Sequence, residues 1–75
     1  MEEEKQQIAS RIAEIISTER KIKGYSCYEL SKRTGINTSQ IMRIESGNNI
    51  PNTETLMKIC SALAIQIKLP DLSRI

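Results

Sequence analysis

Apolar residues recur with a helical period over the first part of the chain. Between about Glu4 and Lys23 they occupy positions i, i+4, i+7 and i+8, which predicts one amphipathic helix. Its apolar positions are Ile8, Ala9, Ile12, Ala13, Ile15, Ile16 and Ile22. Gly24 follows and is typical of the residue that ends a helix.

The stretch from Ser26 to Gly47 keeps the helical period but has a glycine, Gly35, in its middle. Glycine inside a helix costs about 1 kcal/mol relative to alanine, whereas a tight turn uses its left-handed conformation. Two short helices with a turn between them therefore fit the pattern better than one long helix. Ser26 and Glu29 have the spacing of a capping box, which predicts a helix from Cys27 to Thr34 with Leu30 in the core.

A third helix is predicted from Thr38 to Ser46, with Asn37 as its N-cap and Gly47 closing it. Two short helices joined by a glycine turn make a helix-turn-helix. At 100° per residue, Ile41 and Ile44 point to the core, while the other side of the third helix is polar and cationic. The residues expected to point away from the core are Ser39, Met42, Arg43 and Ser46.

The last part of the chain changes its period. Asn52 can cap a fourth helix that carries Leu56, Ile59, Cys60 and Leu63. After it, Ile65, Ile67 and Leu69 alternate with polar residues up to Pro70, which predicts a short strand. The alternative is a fifth helix from Leu63 to Leu69. A strand without a partner in its own chain would pair with a second copy, so we expect a homodimer with Ile65, Ile67 and Leu69 at its interface.

Composition narrows the class of protein. The 75 residues suffice for one domain, 1–75, with a helix-turn-helix core at about 20–63 and a dimerisation tail at about 64–75. The core is aliphatic, because the chain has no Trp or Phe. No His is present, and neither cysteine has a base beside it in sequence, so we expect no enzyme activity, no metal and no cofactor. Without a long apolar run, we expect a soluble, cytoplasmic protein with reduced cysteines.

The exposed side of the third helix has the chemistry of a DNA-reading surface. Thr38, Ser39 and Gln40 lie in the first turn, where a helix in the major groove meets base edges. Arg43 can pair with guanine, and Met42 can contact a thymine methyl group. The net charge of +2 becomes more basic once the three glutamates at the N-terminus are set aside, which suits an anionic partner.

These features together resemble the Cro and phage-repressor type of helix-turn-helix family, also called XRE-like. The matching residues are Arg20, Tyr25-Ser26, Leu30, Gly35-Ile36, the run Ile41-x-Arg43-Ile44-Glu45-x-Gly47, Pro51 and Leu56. The resemblance implies an all-α, lambda-repressor-like domain of four or five helices. It also implies base contacts from Thr38, Ser39 and Arg43, and phosphate contacts from the start of the second helix (Ser26, Cys27, Tyr28), from Gln40, and from Asn48 and Asn49.

Three positions depart from the family pattern. Cys27 stands where the family usually has a phosphate-binding glutamine, which leaves the backbone N–H groups of that helix start as the phosphate donors. Ser31 replaces an alanine, and we expect its hydroxyl to bond a carbonyl one turn back. Ser46 and Asn48 stand where basic residues are common, which lowers the expected DNA affinity.

Glu45 is expected to be at least partly buried, because the helical wheel places it on the same side as Ile41 and Ile44. A carboxylate there needs a cation. The family resemblance indicates Arg20, so we predict an Arg20–Glu45 ion pair between the first and third helices.

The sequence thus predicts a sequence-specific regulator of transcription, a repressor, that binds double-stranded DNA at a palindromic operator. The strand-like tail resembles antitoxin members of the family, so the antitoxin of a toxin–antitoxin pair is the leading subtype, with a toxin as second partner. A phage-type regulator, a restriction–modification controller and a module that docks other proteins are the alternatives.

Overall fold

Four helices make up the described part of the chain, residues 2–65, in a computed structural model. They are α1 (Glu2–Ile22), α2 (Cys27–Thr34), α3 (Thr38–Glu45) and α4 (Thr53–Leu63). α1 and α2 each pack against both α3 and α4. The predicted all-α class is confirmed, and the predicted bounds of α2 match the structure. None of these helices is both long and apolar enough to cross a membrane.

Glycines in the left-handed conformation end the first three helices, as the sequence indicates. Gly24 has φ of +73°, and the N–H groups of Gly24 and Tyr25 donate to the carbonyls of Lys21 and Arg20. This pair of bonds is the Schellman arrangement, which satisfies carbonyls left over at a helix end. Gly35 takes φ of +75° between α2 and α3, where a residue with Cβ would be strained.

Polar side chains start the helices. The Oγ of Ser26 accepts from the N–H of Glu29, and the Oδ1 of Asn52 accepts from the N–H of Thr55. The second half of the predicted capping box is absent from the described bonds, because the Glu29 carboxylate instead accepts from Arg33 Nε at 3.1 Å. The predicted α2 start is nevertheless the observed one, since the serine alone satisfies one of the orphan N–H groups.

The core lies between the four helices and is aliphatic. Its buried cluster contains Ile16, Leu30, Ile36, Ile41, Ile44, Ile59 and Leu63. Burying an aliphatic side chain of this size contributes about 1.5–3 kcal/mol, so the cluster is the main stabilising element of the domain. Cys60 is also buried, as expected of a space-filling residue, and this burial raises the pKa of its thiol.

The predicted amphipathic helix is present, and its apolar arc is wider than the part that the core covers. Ala9, Ala13 and Ile16 are buried, but Ile8 and Ile22 are exposed. A helix resting on one core buries only an arc of its surface, and the seven apolar positions span a wider arc than that. α1 therefore buries one edge of its apolar arc, keeps Ile12 half-buried against the core, and exposes the other edge.

Two hydroxyls hold the turn between α2 and α3. Ser31 Oγ donates forward to the carbonyl of Ile36, so the predicted bond to a carbonyl one turn back is wrong. Thr34 Oγ1 donates back to the Leu30 carbonyl at 2.8 Å and accepts from the Ile36 N–H at 3.1 Å. Backbone groups in the turn cannot form helical hydrogen bonds, and each hydroxyl supplies one of them with a partner.

α4 ends at Leu63, where Ala64 adopts a left-handed conformation with φ of 56°. The N–H of Ile65 donates to the Cys60 carbonyl at 2.8 Å, and Ile65 packs against the core without regular secondary structure. The predicted strand over Ile65, Ile67 and Leu69 otherwise lies outside the described residues. So does most of the alternative fifth helix, whose proposed first residue, Leu63, belongs to α4.

Candidate nucleic-acid interface

The outer side of α3 presents a short polar surface. Ser39, Met42, Arg43 and Ser46 are exposed, whereas Ile41 and Ile44 on the opposite side are almost completely buried. Thr38 and Gln40, at the start of the helix, are half-buried. Hydroxyl, guanidinium and thioether groups thus project from a helix whose other side is fixed in the core.

The start of α3 is tied down by its N-cap. The Oδ1 of Asn37 accepts from the N–H of Ser39 at 2.8 Å. Ser39 is therefore held by its backbone while its side chain points to solvent. At the other end, Ser46 Oγ donates to the Arg43 carbonyl at 2.6 Å. Because both ends of α3 are held in this way, the helix loses little conformational entropy when its side chains bind a partner.

The predicted Arg20–Glu45 pair is present and is bidentate. Arg20 Nε donates to Glu45 Oε2 at 2.7 Å, and Nη2 donates to Oε1 at 3.0 Å. A third bond runs from Nη1 to the Tyr25 carbonyl at 2.7 Å. The side chains of Arg20 and Glu45 are only 13% and 10% exposed. The hydrogen-bonded carboxylate raises the pKa of Arg20 above its ordinary value, so the arginine remains charged.

This arrangement joins three parts of the chain. Arg20 lies at the end of α1, Tyr25 precedes α2, and Glu45 ends α3. A fork-shaped guanidinium matches both carboxylate oxygens and so fixes direction as well as distance. The end of α3 is thereby locked to the end of α1.

Cys27 belongs to the same cluster. Its side chain is half-buried, and its Sγ lies 3.9 Å from Glu45 Oε2. The thiol therefore faces inward, toward α3, and cannot replace the glutamine side chain that the family usually places there. Only the backbone N–H of Cys27 remains for a phosphate contact. The same distance shows that the start of α2 lies next to the end of α3.

The start of α2 is otherwise open to solvent. Ser26 and Tyr28 are exposed, and the Lys32 Nζ lies 5.5 Å from the centre of the Tyr28 ring. Ser26 uses its hydroxyl on the N–H of Glu29, so the N–H groups earlier in the helix have no helical acceptor. A basic side chain, a phenol and unsatisfied N–H groups together favour an anion. Lys32 was not among the predicted site residues, although its position four residues after Tyr28 places it on the same side of the helix.

The loop after α3 forms the far side of the surface. Asn48 and Asn49 are exposed and line a shallow groove together with Lys5 and Gln6 from the start of α1. The loop lies against α1 at Gly47, which has a left-handed backbone that favours glycine. A Cβ there would lie 3.6 Å from Ser10 Cα, and φ is +80°. The structure therefore adds Lys5 to the polar groups near Asn48, which sequence spacing does not reveal.

The sequence-predicted site residues fall into two groups. The start of α2 and the end of α3 are neighbours, whereas Asn48 and Asn49 lie beside the start of α1. The predicted dimer residues Ile67 and Leu69 lie outside the described chain.

Comparison with known proteins gives one result that bears on this surface. The family model described as "Cro/C1-type HTH DNA-binding domain" matches residues 11–68. Neither the curated proteins nor the solved structures gave a significant match.

Proposed function

Because this chain belongs to the Cro/C1-type helix-turn-helix family of DNA-binding domains, we propose that it is a sequence-specific transcriptional regulator acting as a repressor. The single observation that carries the proposal is the division of α3 into two faces. On one face Ile41 and Ile44 are almost completely buried, and the other face exposes hydrogen-bonding groups. A helix of this kind can enter the major groove without disturbing the domain.

In this proposal, the outer side of α3 reads the bases. Ser39 offers a hydroxyl to base edges, Arg43 forms a bidentate pair with guanine, and Met42 contacts a thymine methyl. Thr38 lies in the same first turn and adds a second hydroxyl. Because Arg20 and Glu45 fix the end of α3, these side chains approach the bases in a defined register.

Phosphate contacts come from the edges of the surface. The N–H groups at Cys27 and Tyr28, the hydroxyls of Ser26 and Tyr28, and the amides of Gln40, Asn48 and Asn49 position the domain on the backbone. The thiol of Cys27 takes no part, because it faces Glu45. Lys32 beside Tyr28 and Lys5 beside Asn48 add positive charge at these edges.

The regulator is proposed to bind as a homodimer on a palindromic operator, since two-fold protein symmetry matches two half-sites. The alternating Ile65, Ile67 and Leu69 are the proposed tail contact between copies. The same strand-like tail supports an antitoxin that binds a toxin and represses its own operon, working in the cytoplasm where the DNA lies.

The test is selection of binding sites from random DNA duplexes, followed by affinity measurement on the enriched site. We expect an enriched palindrome and an affinity that falls steeply with salt concentration. Replacing Ser39 or Arg43 by alanine should cost about 1–3 kcal/mol on the selected site and should flatten discrimination between bases.

Arg11→Ala is the matched control, because Arg11 is an exposed arginine of α1 paired only loosely, at 3.9 Å, with Glu14. Its loss should change specific binding little. If no motif is enriched, or if affinity ignores salt, the domain is a docking module for another protein and the regulator proposal is wrong.

A further inference from the structure

The ends of α1 and α4 are built in the same way. At each end the chain leaves the helix through a residue with positive φ, Gly24 at 73° and Ala64 at 56°. The N–H of the next residue then donates to the carbonyl five residues earlier, at 3.1 Å from Tyr25 and at 2.8 Å from Ile65. Tyr25 and Ile65 are both half-buried against the core. The two junctions can therefore be compared residue by residue.

Backbone strain distinguishes the two junctions. Glycine adopts positive φ readily, whereas the Cβ of any other L-residue comes too close to the following carbonyl oxygen. Among residues 2–65, Ala64 is the one residue other than glycine that has positive φ. Because Ala64 is exposed, burial of its methyl group does not offset this strain. The end of α4 is therefore strained, and the end of α1 is not.

The residues that follow the two helices are also held differently. After α1, Arg20 Nη1 donates to the Tyr25 carbonyl at 2.7 Å and fixes the chain there. After α4, Ile65 is held by its N–H bond to Cys60 and by its packing. Ile65 also borders a shallow groove with Met57 and Cys60, so it packs at the rim of the core.

A helical conformation of Ala64 is the alternative to the strained one. Alanine has the highest helix propensity, so α4 can continue through this residue once φ becomes negative. In a continued helix, the Ile65 N–H donates to the Ser61 carbonyl instead of the Cys60 carbonyl, and no hydrogen bond is lost. Relief of strain favours the continued helix, and the packing of Ile65 opposes it.

We propose that Ala64 and Ile65 form a latch with two states, which we call the α4 latch. In the closed state, Ala64 is left-handed and Ile65 packs against the core. In the open state, Ala64 is helical and Ile65 has left the core. Cys60, which is 7% exposed and borders the same groove, then becomes accessible to solvent. This opening is local, because the packing of the other helices does not change.

The α4 latch regulates how the residues after α4 are presented. Ile65 is one of the three residues of the proposed tail contact, and in the closed state it packs against its own core. Only the open state frees Ile65 for a partner, so the apparent affinity of a tail contact is reduced by the fraction of open molecules. This consequence rests on the proposed function, whereas the opening itself does not.

The test is the labelling rate of the Cys60 thiol with 5,5′-dithiobis(2-nitrobenzoic acid) at fixed pH. The full chain carries Cys27→Ala, which leaves Cys60 as its one thiol. At low urea we expect a labelling rate that does not depend on urea, because a local opening exposes little surface. At higher urea the rate should rise steeply, when global unfolding becomes the faster route to the thiol.

Two substitutions at the exposed position 64 shift the latch in opposite directions. Ala64→Gly removes the strain of the closed state, and we expect the urea-independent rate to fall about tenfold. Ala64→Val should raise this rate, because a β-branched residue is still less compatible with positive φ. Gly24→Ala is the matched control, since it introduces the same strain at the end of α1. It should lower the melting temperature but leave the urea-independent labelling rate unchanged.

Two results would overturn the proposal. One is a labelling rate that follows the urea dependence of global unfolding down to zero urea. The other is an equal low-urea rate in the chain with Ala64 and in both of its variants at this position. Selection of DNA sites with Ala64→Gly separates the two proposals, because Ala64 lies outside the proposed DNA contacts. An enriched motif together with either result rejects the latch alone, and a graded labelling rate without a motif rejects the regulator alone.

Discussion

α1 and α3 pack against each other and bury side chains in the same core, yet their outer faces differ in kind. The outer face of α3 exposes Ser39 and Arg43 around one apolar residue, Met42. The outer face of α1 exposes Ile8, Ile15 and Ile22, which are seven residues apart. A surface that meets base pairs needs varied hydrogen-bonding groups, whereas a surface that meets another helix needs repeated apolar ones. The two outer faces therefore suit different kinds of contact.

The largest expected effect is a difference in unfolding free energy between substitutions on the buried side and the exposed side of α1. Ile16→Ala removes a side chain that is 1% exposed and should cost about 2–5 kcal/mol of unfolding free energy, because it leaves a cavity in the core. Ile22→Ala should change it by less than about 0.5 kcal/mol. Urea denaturation of the two variants at the same protein concentration measures both losses. Equal losses would mean that Ile22 contributes to the fold as much as a core residue does.

The next effect concerns the link between the two helices. Arg20→Ala or Glu45→Gln should destabilise the domain by on the order of 3 kcal/mol, because each strands the other member of a largely buried pair. Lys58→Ala is the control, since Lys58 and Glu54 form an exposed pair at 3.2 Å. That substitution should cost about 0–1 kcal/mol. An Arg20 variant as stable as the Lys58 variant would show that the pair adds nothing to the packing of α1 on α3.

The smallest effect concerns the start of α3. Asn37→Ala removes the acceptor for the Ser39 N–H and should cost about 1 kcal/mol of stability. Asn52→Ala removes the corresponding cap of α4 and should cost a similar amount. Only the Asn37 variant should also weaken binding to the selected DNA site, beyond its effect on stability. Equal DNA binding by the two variants would argue against α3 as the reading helix.

Local signals in the sequence were sufficient for the helices. Ser26, Asn37 and Asn52 cap the helices they were expected to cap, and Gly24 and Gly35 take the left-handed conformation. Each of these assignments depends on a few neighbouring residues and on backbone sterics, which the sequence states directly. The buried positions of α3 followed in the same way from its period.

Tertiary contacts were harder to predict. The helical period places both Ile15 and Ile16 on the apolar side of α1. Only the positions of the other helices decide which of the two enters the core. The direction of the Ser31 hydroxyl likewise depended on where the turn brings the Ile36 carbonyl. The inward thiol of Cys27 followed from the position of Glu45. Pairing Arg20 with Glu45 succeeded because a buried carboxylate needs a cation and the family resemblance supplied one.

The Arg20 guanidinium has a mechanical consequence for operator choice. Because it donates hydrogen bonds to both Glu45 and the Tyr25 carbonyl, it holds α1 and α3 in a fixed relative orientation. If two copies of such a rigid domain bind neighbouring half-sites, the distance between their α3 helices is set by the contact between the copies and not by a flexible hinge within each copy. Such an assembly would tolerate a changed base inside a half-site better than one base pair inserted between the half-sites, because the insertion rotates one half-site away from a protein that cannot follow.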